Sequence, residues 1–449
     1  MLFGWLLIVR TEIFSAIMHF ERQIRVLIVV DSMHRELSSA LALSEVLRVD
    51  PKIAVELIPR QVLPVAFNLI KPHAILLPKV HKIPFLNEMR RSCRVILMLS
   101  ESFSGSKSAF ETLKGNLDLN SVDHVCCWGQ FDRDIYLNLG LAPVEKLSIT
   151  GGLCSDYWWN FVTINKLATS NKKVGIAMSM RALTHRAYGK RAGSVESILG
   201  VIKAGQESGF FDNNSLPEGW IAYEATWLKI VYEICLKNPK TKFSLRPHPL
   251  ESVENYELFR SFDNVEICSR DTLTEWFSDI DLLLSAFSTS MIDAYMHGVQ
   301  VISLKPLFDP DILKLIPVYQ SEVPFDDLFL QARTYEELES LIASIPVRKS
   351  EVTKTRLEAF LKETFNFGEK TKRPSVAVAE VIKKQLISGL SNLREHDDLP
   401  LSSWDKYCAV VLRSWRIRVI LIRLRALFDR RLNTSSMYVP RMFKRHENS

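Results

Sequence analysis

The sequence predicts an α/β protein of two lobes, each a mostly parallel sheet with helices on both faces. Three observations carry this prediction. Short apolar, β-branched runs recur along the chain, as expected of strands buried on both faces of a parallel sheet. Helical stretches alternate with those runs, the pattern of βαβ units. The chain of 449 residues is also long enough for about two cores rather than one.

The first series opens with Ile24–Val30 (IRVLIVV), which ends at Asp31 and leads into a predicted helix over Glu36–Leu47. Ala74–Leu77, Arg94–Leu99, His124–Trp128 and Leu147–Thr150 follow as strands, with a helix over Asp132–Leu139. A polar link at Thr169–Lys173 introduces a second series. Its predicted strands are Val174–Met178, Lys242–Leu245, Val265–Ile267, Leu282–Leu284 and Val299–Leu304, and its helices are Ala222–Leu236 and Ser290–Met296. The two series read as doubly wound, Rossmann-like lobes, residues 24–170 and 171–388, facing a central cleft. Sheets of this kind bind ligands outside the carboxyl ends of their strands.

Composition narrows the class. Apolar residues make up 47% and charged residues 24%, the balance of a soluble globular protein. Of seven cysteines only Cys126 and Cys127 are neighbours, and no CxxC or Cys/His spacing suits zinc. Reduced thiols in a cytoplasmic protein are the expectation. Residues 1–23 form an apolar extension whose uninterrupted run, broken by Arg10 and Glu12, is about half the roughly 20 residues of a membrane span, and which lacks a signal-peptide cleavage pattern. It reads as a short amphipathic flap, or as an over-extended start with Met18 as the true beginning.

The net charge of +6 is concentrated at one end. From Val411 to Ser449 ten arginines and lysines face only Asp429 and Glu447, so this stretch carries +8 and the remainder −2. Within residues 389–449, Trp404–Leu432 reads as one helix with Ile417, Ile420, Leu421, Leu424, Leu427 and Phe428 on one arc. Arginines flank that arc, which fits an anionic membrane surface better than nucleic acid. Packing back on the body is the alternative.

The stretch Ser244–Leu304 carries the strongest chemical signal. Arg246-Pro247-His248-Pro249 follows a strand directly, and its prolines make a stiff extended turn. Arg246 offers a fork matched to phosphate or carboxylate, and His248 a hydrogen bond to an oxyanion. Further on, Ser285, Ser288, Thr289 and Ser290 precede a helix, where hydroxyls and free N–H groups suit an anion. Asp293 in the first turn is either an ordinary acid near a positive helix end or an acceptor for a sugar hydroxyl. Asp279 and Asp281 run straight into an apolar strand, so no DxD pair is placed to hold a divalent metal.

The run RPHPLES through NVEICSRDTLTEWFSDIDLLLSAFSTSMIDAYMHGVQVIS resembles the C-terminal lobe of the bacterial surface carbohydrate biosynthesis proteins. These are GT-B-fold relatives of the capsule Kdo transferases, polysialyltransferases and CDP-glycerol glycerophosphotransferases. The resemblance implies that Arg246, His248, Ser288 and Thr289 hold the donor's nucleotide phosphates, with Ser290 and Asp293 beside them. Asp293 stands where that group usually has Glu. The first lobe is similar more loosely, through Arg35-Glu36, CWGQ at Cys127–Gln130 and ITGGLCSDYW at Ile149–Trp158. The last is similar to a TGxPRxD segment, with Gly152, Leu153, Cys154 and Ser155 in place of the usual loop, and the resemblance implies that Gly151 and Gly152 fall in the cleft. Leu99-Ser100-Glu101-Ser102 occupies the place of an acidic motif that supplies the general base, which makes Glu101 the first candidate and Glu36 and Asp31 the alternatives.

These expectations amount to a metal-independent glycosyltransferase of surface polysaccharide biosynthesis, peripheral to the inner face of the membrane. Its donor is a nucleotide sugar, a substrate rather than a cofactor, and its acceptor a glycan or a lipid-linked glycan. A CDP-alditol phosphotransferase of teichoic-acid type keeps the same fold with other chemistry. A non-catalytic scaffold of a polysaccharide assembly complex is the alternative from another class.

Overall fold

The computed structural model describes residues 23–31, 33–79, 83, 85–99, 119–160, 173–178, 217–247, 253–268, 272–286, 288–314, 325–344, 351–368, 371–389 and 398–399. The expectations for the apolar extension before Gln23 and for the basic helix at Trp404–Leu432 lie outside them.

The first sheet comprises β1 (Ile24–Val30), β2 (Ile53–Pro59), β3 (Ala74–Leu77), β4 (Arg94–Leu97), β5 (His124–Cys127) and β6 (Leu147–Ile149), all parallel, in the order β2-β1-β3-β4-β5-β6. Val26 through Val30 are buried because β1 has neighbours on both edges and helices on both faces. Helix α1 (Met33–Arg48) covers one face, with α2 (Leu63–Ile70), α3 (Leu86–Ser92) and α4 (Gln130–Asn138) completing the lobe. Strand β2 is absent from the expected series. It is an edge strand whose Glu56 and terminal Pro59 interrupt the apolar run by which its neighbours are recognised.

The second sheet holds β7 (Lys173–Ala177), β8 (Lys242–Arg246), β9 (Val265–Ile267), β10 (Leu282–Ser285), β11 (Gln300–Ser303) and β12 (Leu330–Gln331). Its order is β12-β11-β10-β7-β8-β9, so the chain reverses direction between β7 and β10, the switch point of a doubly wound sheet. Register sets Ala177 opposite Arg246, and Ile176 opposite Leu284. Around this sheet lie α5 (Pro217–Lys237), α6 (Leu273–Asp279), α7 (Ser290–Met296), α8 (Pro310–Lys314), α9 (Tyr335–Ala343) and α10 (Glu351–Phe365). Two doubly wound lobes, the GT-B-like arrangement, are therefore present as expected.

The last described helix, α11 (Pro374–Gly389), corrects the expected grouping of residues 171–388 with the second lobe. It packs on the first sheet, burying Val378, Ala379, Ile382 and Leu386 against Val26, Ile28, Val30, Leu43 and Leu47. Their i, i+1, i+4, i+8 spacing makes one apolar stripe, and only the tertiary fold reveals which sheet it covers. Leu399 also belongs to the first lobe: it is buried in the same core as Phe67 and exchanges two hydrogen bonds with Asn68, at 2.9 and 2.8 Å. Among the described residues no helix is long and apolar enough to cross a membrane.

Candidate functional site

The carboxyl ends of β1, β2 and β3 bring together charged residues of the first lobe. Asp31 directly follows β1 and is held by Arg60, which follows β2, at 3.0 Å, and by Lys79, just past β3. Its backbone N–H donates to Glu36 Oε2 at 2.6 Å. Glu36, in the first turn of α1, lines a small pocket with Ser39, Pro78, Leu99, Trp128 and Cys154. Arg35 falls in the same turn. Of the two described carboxylates expected from the sequence, Asp31 is paired with two cations and Glu36 lines the pocket. Glu101 lies outside the described residues, as does the side chain of Arg35.

In the second lobe Arg246 is the last residue of β8, and its guanidinium carbon stands 5.6 Å from the Trp276 ring centroid. Trp276 is fixed in turn by its indole N–H, which donates to Ser244 Oγ at 2.9 Å. The hydroxyl-rich turn follows β10: Ser288 Oγ and Ser290 Oγ are 2.7 Å apart, and the Ser290 N–H donates to Ser288 Oγ at 3.3 Å. Thr289 caps α7 by position, without a side-chain cap bond. Strands β8 and β10 lie on either side of β7, two spacings or roughly 10 Å apart, so Arg246 and the serine turn both lie at the sheet's carboxyl edge; the Arg246 guanidinium also meets Cys268 Sγ at 4.0 Å. His248 lies outside the described residues.

Asp293 faces inward, toward the segment that follows β6. Its Oδ1 accepts the Tyr157 hydroxyl and, at 2.8 Å, the Trp158 indole N–H. Desolvation pushes its carboxyl up to about 6, against the pull of those two bonds. A sugar-hydroxyl contact, one of the two roles expected of Asp293, would have to compete with both donors.

Gly151 and Gly152 also serve the seam between lobes. Gly151 has φ +83°, and a Cβ there would lie 2.9 Å from the Pro374 ring at the start of α11. A Cβ on Gly152 would meet the Trp128 indole at 2.5–2.7 Å. Trp128 is locked by its own N–H to the Leu99 carbonyl at 2.8 Å and packs on Phe365 with centroids 5.6 Å apart. The CWG and TG segments are thus packing elements: glycine admits the tryptophan, and the tryptophan joins a core that includes Trp276, Met291, Ile292 and Leu357 of the second lobe. Below Trp128, buried Asp132 accepts its backbone N–H at 3.2 Å, and desolvation pushes this acid up to about 7.

Sequence reasoning missed the short 3-10 helix Leu153–Asn160 as the connector. Asp156 pairs with Arg373 Nε at 3.1 Å and accepts the Ser375 N–H at 2.6 Å, tying the segment to the N-terminus of α11. The aspartate closing the TGxPRxD-like segment was the available signal. Asp279 and Asp281 are both engaged by Lys173, at the amino edge of the sheet, opposite the candidate site. Among the described residues no group of three or more His, Cys, Asp or Glu is placed to hold a metal ion.

No protein-family model matches the chain, and no curated protein matches it. Among solved structures it is similar to the wall teichoic acid polymerase TagF, with 11% identity over 82% of this chain and 90% of that one and a TM-score of 0.47. It is similar to MnaA of S. aureus in a UDP co-structure, with 9% identity, 84% and 100% coverage and a TM-score of 0.47. A UDP-GlcNAc 2-epimerase of Methanocaldococcus jannaschii in complex with UDP-GlcNAc and UDP shows 10% identity, 81% and 100% coverage and a TM-score of 0.45. Likeness this distant transfers neither residue roles nor activity.

Proposed function

We propose that this protein transfers a sugar from a nucleotide donor to a glycan or lipid-linked acceptor in the biosynthesis of a bacterial surface polysaccharide. The observation that carries the reading is the placement of Arg246 and the Ser288–Ser290 turn after the two strands that flank β7, at the carboxyl edge of the second sheet. A diphosphate bound there would have a cation on one side and hydroxyls on the other. The resemblance of Ser244–Leu304 to the surface carbohydrate family supports the same assignment and adds His248 to the donor site.

Departure of the nucleotide develops negative charge on its phosphate oxygens. Arg246, braced on Trp276, stabilises that charge most where water is excluded. A carboxylate of the first lobe takes the proton of the acceptor hydroxyl. Glu101 holds that role by resemblance, and Glu36 is the described carboxylate bordering the pocket. Asp31, paired with Arg60 and Lys79, is better suited to anchoring those cations. The basic stretch beyond residue 400 would tether the enzyme to anionic lipid on the inner face of the membrane, beside a lipid-linked acceptor.

Screening CMP, CDP, UDP and GDP for thermal stabilisation of the full chain tests the proposal. A ligand at a hundredfold excess over its dissociation constant adds about 2.7 kcal/mol, an unmistakable rise in melting temperature. A cytidine diphosphate alditol that stabilises and turns over, where sugar nucleotides do neither, would move the assignment to phosphotransfer. Silence from every nucleotide would leave the scaffold reading.

A further inference from the structure

We infer that Tyr157 and Trp158 are positioning residues: through Asp293 they fix α7, and with it the Ser288–Ser290 turn, against the first lobe. The inference rests on the donor-site reading of that turn. The segment bearing both residues is anchored on the first-lobe side, where it packs against α1 and α11. There Asp156 takes Arg373 Nε at 3.1 Å and the Ser375 N–H at 2.6 Å. Ser155 closes the segment locally by donating to the Gly152 carbonyl at 2.7 Å.

On its other side the segment grips α7. Two donors from adjacent residues converge on a single oxygen of Asp293. The next turn of the helix is held as well: the His297 ring stands 5.5 Å from Tyr157, and its Nδ1 is 2.9 Å from the Asp293 carbonyl oxygen. Asp293 lies three residues from Ser290, about 4.5 Å along the axis, so what moves one moves the other.

Apolar packing alone would set the spacing of the lobes but not their angle. Trp158 meets Phe365 and Phe367 in tilted and edge-on contacts, with centroids 5.2 and 5.8 Å away, which are less directional than hydrogen bonds. Two directional bonds to one oxygen fix the rotation of α7. The donor turn and the carboxylates at the edge of the first sheet then meet in one geometry. Transfer depends on that geometry, whereas binding of a nucleotide to the second lobe does not.

The test is the double variant Tyr157→Phe, Trp158→Phe, which removes both donors and keeps aromatic rings in place. Its turnover should fall about a hundredfold, the scale of a one-ångström misplacement. Its affinity for a nucleoside diphosphate, read by calorimetry, should stay within about twofold, because that site belongs to one lobe. Small-angle scattering of the free full-length protein should show a broader spread of lobe arrangements than wild type. Asp293→Leu should reproduce this behaviour, whereas Asp293→Asn, which keeps an acceptor oxygen, should retain at least about ten times the turnover of the leucine variant. A double variant that only melts earlier, with wild-type turnover per folded molecule and unchanged scattering, overturns the inference. If wild type itself transfers nothing from any nucleotide, the donor-site reading fails by that result. Scattering then decides the positioning role alone, and an unchanged profile refutes it.

Discussion

Replacing Asp293 by asparagine should stabilise the protein at neutral pH and leave it unchanged near about pH 4. Its carboxyl is lifted from 3.8 to about 6 by desolvation, so the folded state holds the proton more tightly than the unfolded chain does. The corresponding stability is fully present below the unfolded value. It is lost as the pH rises to about 6, where the folded protein must ionise a desolvated acid. Each pH unit separating the two values is worth about 1.4 kcal/mol, so the loss reaches roughly 2–3 kcal/mol at neutral pH. Asparagine escapes it and still offers Oδ1 to Tyr157 and Trp158. The protonated acid is itself a neutral acceptor, so the net gain equals that loss, roughly 2–3 kcal/mol at about pH 7. Tyr157, pushed above its ordinary value, stays protonated throughout. His124, held down to about 4, and Asp132, pushed up to about 7, titrate in the same range but are common to both proteins and cancel in the difference. Urea midpoints of wild type and variant, compared from acid to neutral pH, give that difference directly. A difference that does not grow toward neutral pH, or an asparagine variant less stable there, refutes the reasoning.

Gly152→Ala should cost about 1–3 kcal/mol, the usual range for overpacking, because the Trp128 ring it strikes is pinned to the Leu99 carbonyl; urea unfolding measures it. Truncation after Gly389 should destabilise the first lobe by removing Leu399, with Leu399→Ala alone costing roughly 2–5 kcal/mol. Truncation after Pro400 should keep the melting temperature but abolish cosedimentation with anionic vesicles, since each Lys or Arg near such a surface contributes about 1 kcal/mol. Glu36→Gln and Glu101→Gln, made separately, should identify the base: the true one loses about a hundred- to ten-thousandfold in turnover with donor affinity kept, and near-normal turnover in either clears that residue.

The fold was legible wherever the chain writes local patterns. The buried runs of β1 and β3 have the bounds that their sequences suggest, because a strand covered on both faces is apolar throughout. Strand β2 escaped notice, since an edge strand carrying Glu56 alternates, and β12 is only two residues long. The candidate site was legible as a pair of strand-end motifs, Arg246 and the serine turn. What the sequence could not show is distance in space. Tyr157 meets Asp293 across 136 residues, Ser375 meets Asp156 across 219, and Asn68 meets Leu399 across 331, and no periodicity marks such partners. For the same reason Asp293 suggested a ligand contact from its place in a helical first turn, while the structure occupies it with aromatic donors from the segment joining the lobes.

Everything proposed for the chemistry depends on the second lobe binding a nucleoside diphosphate between Arg246 and the serine turn. Calorimetric titration of the full-length protein with nucleoside diphosphates, repeated on Arg246→Ala, tests this most directly. One site for at least one nucleotide is expected in wild type. Affinity in the variant should be lower by about ten- to a hundredfold, the value of a charge-assisted hydrogen bond, at unchanged melting temperature. No heat with any nucleotide, or equal affinity in the two proteins, would contradict it.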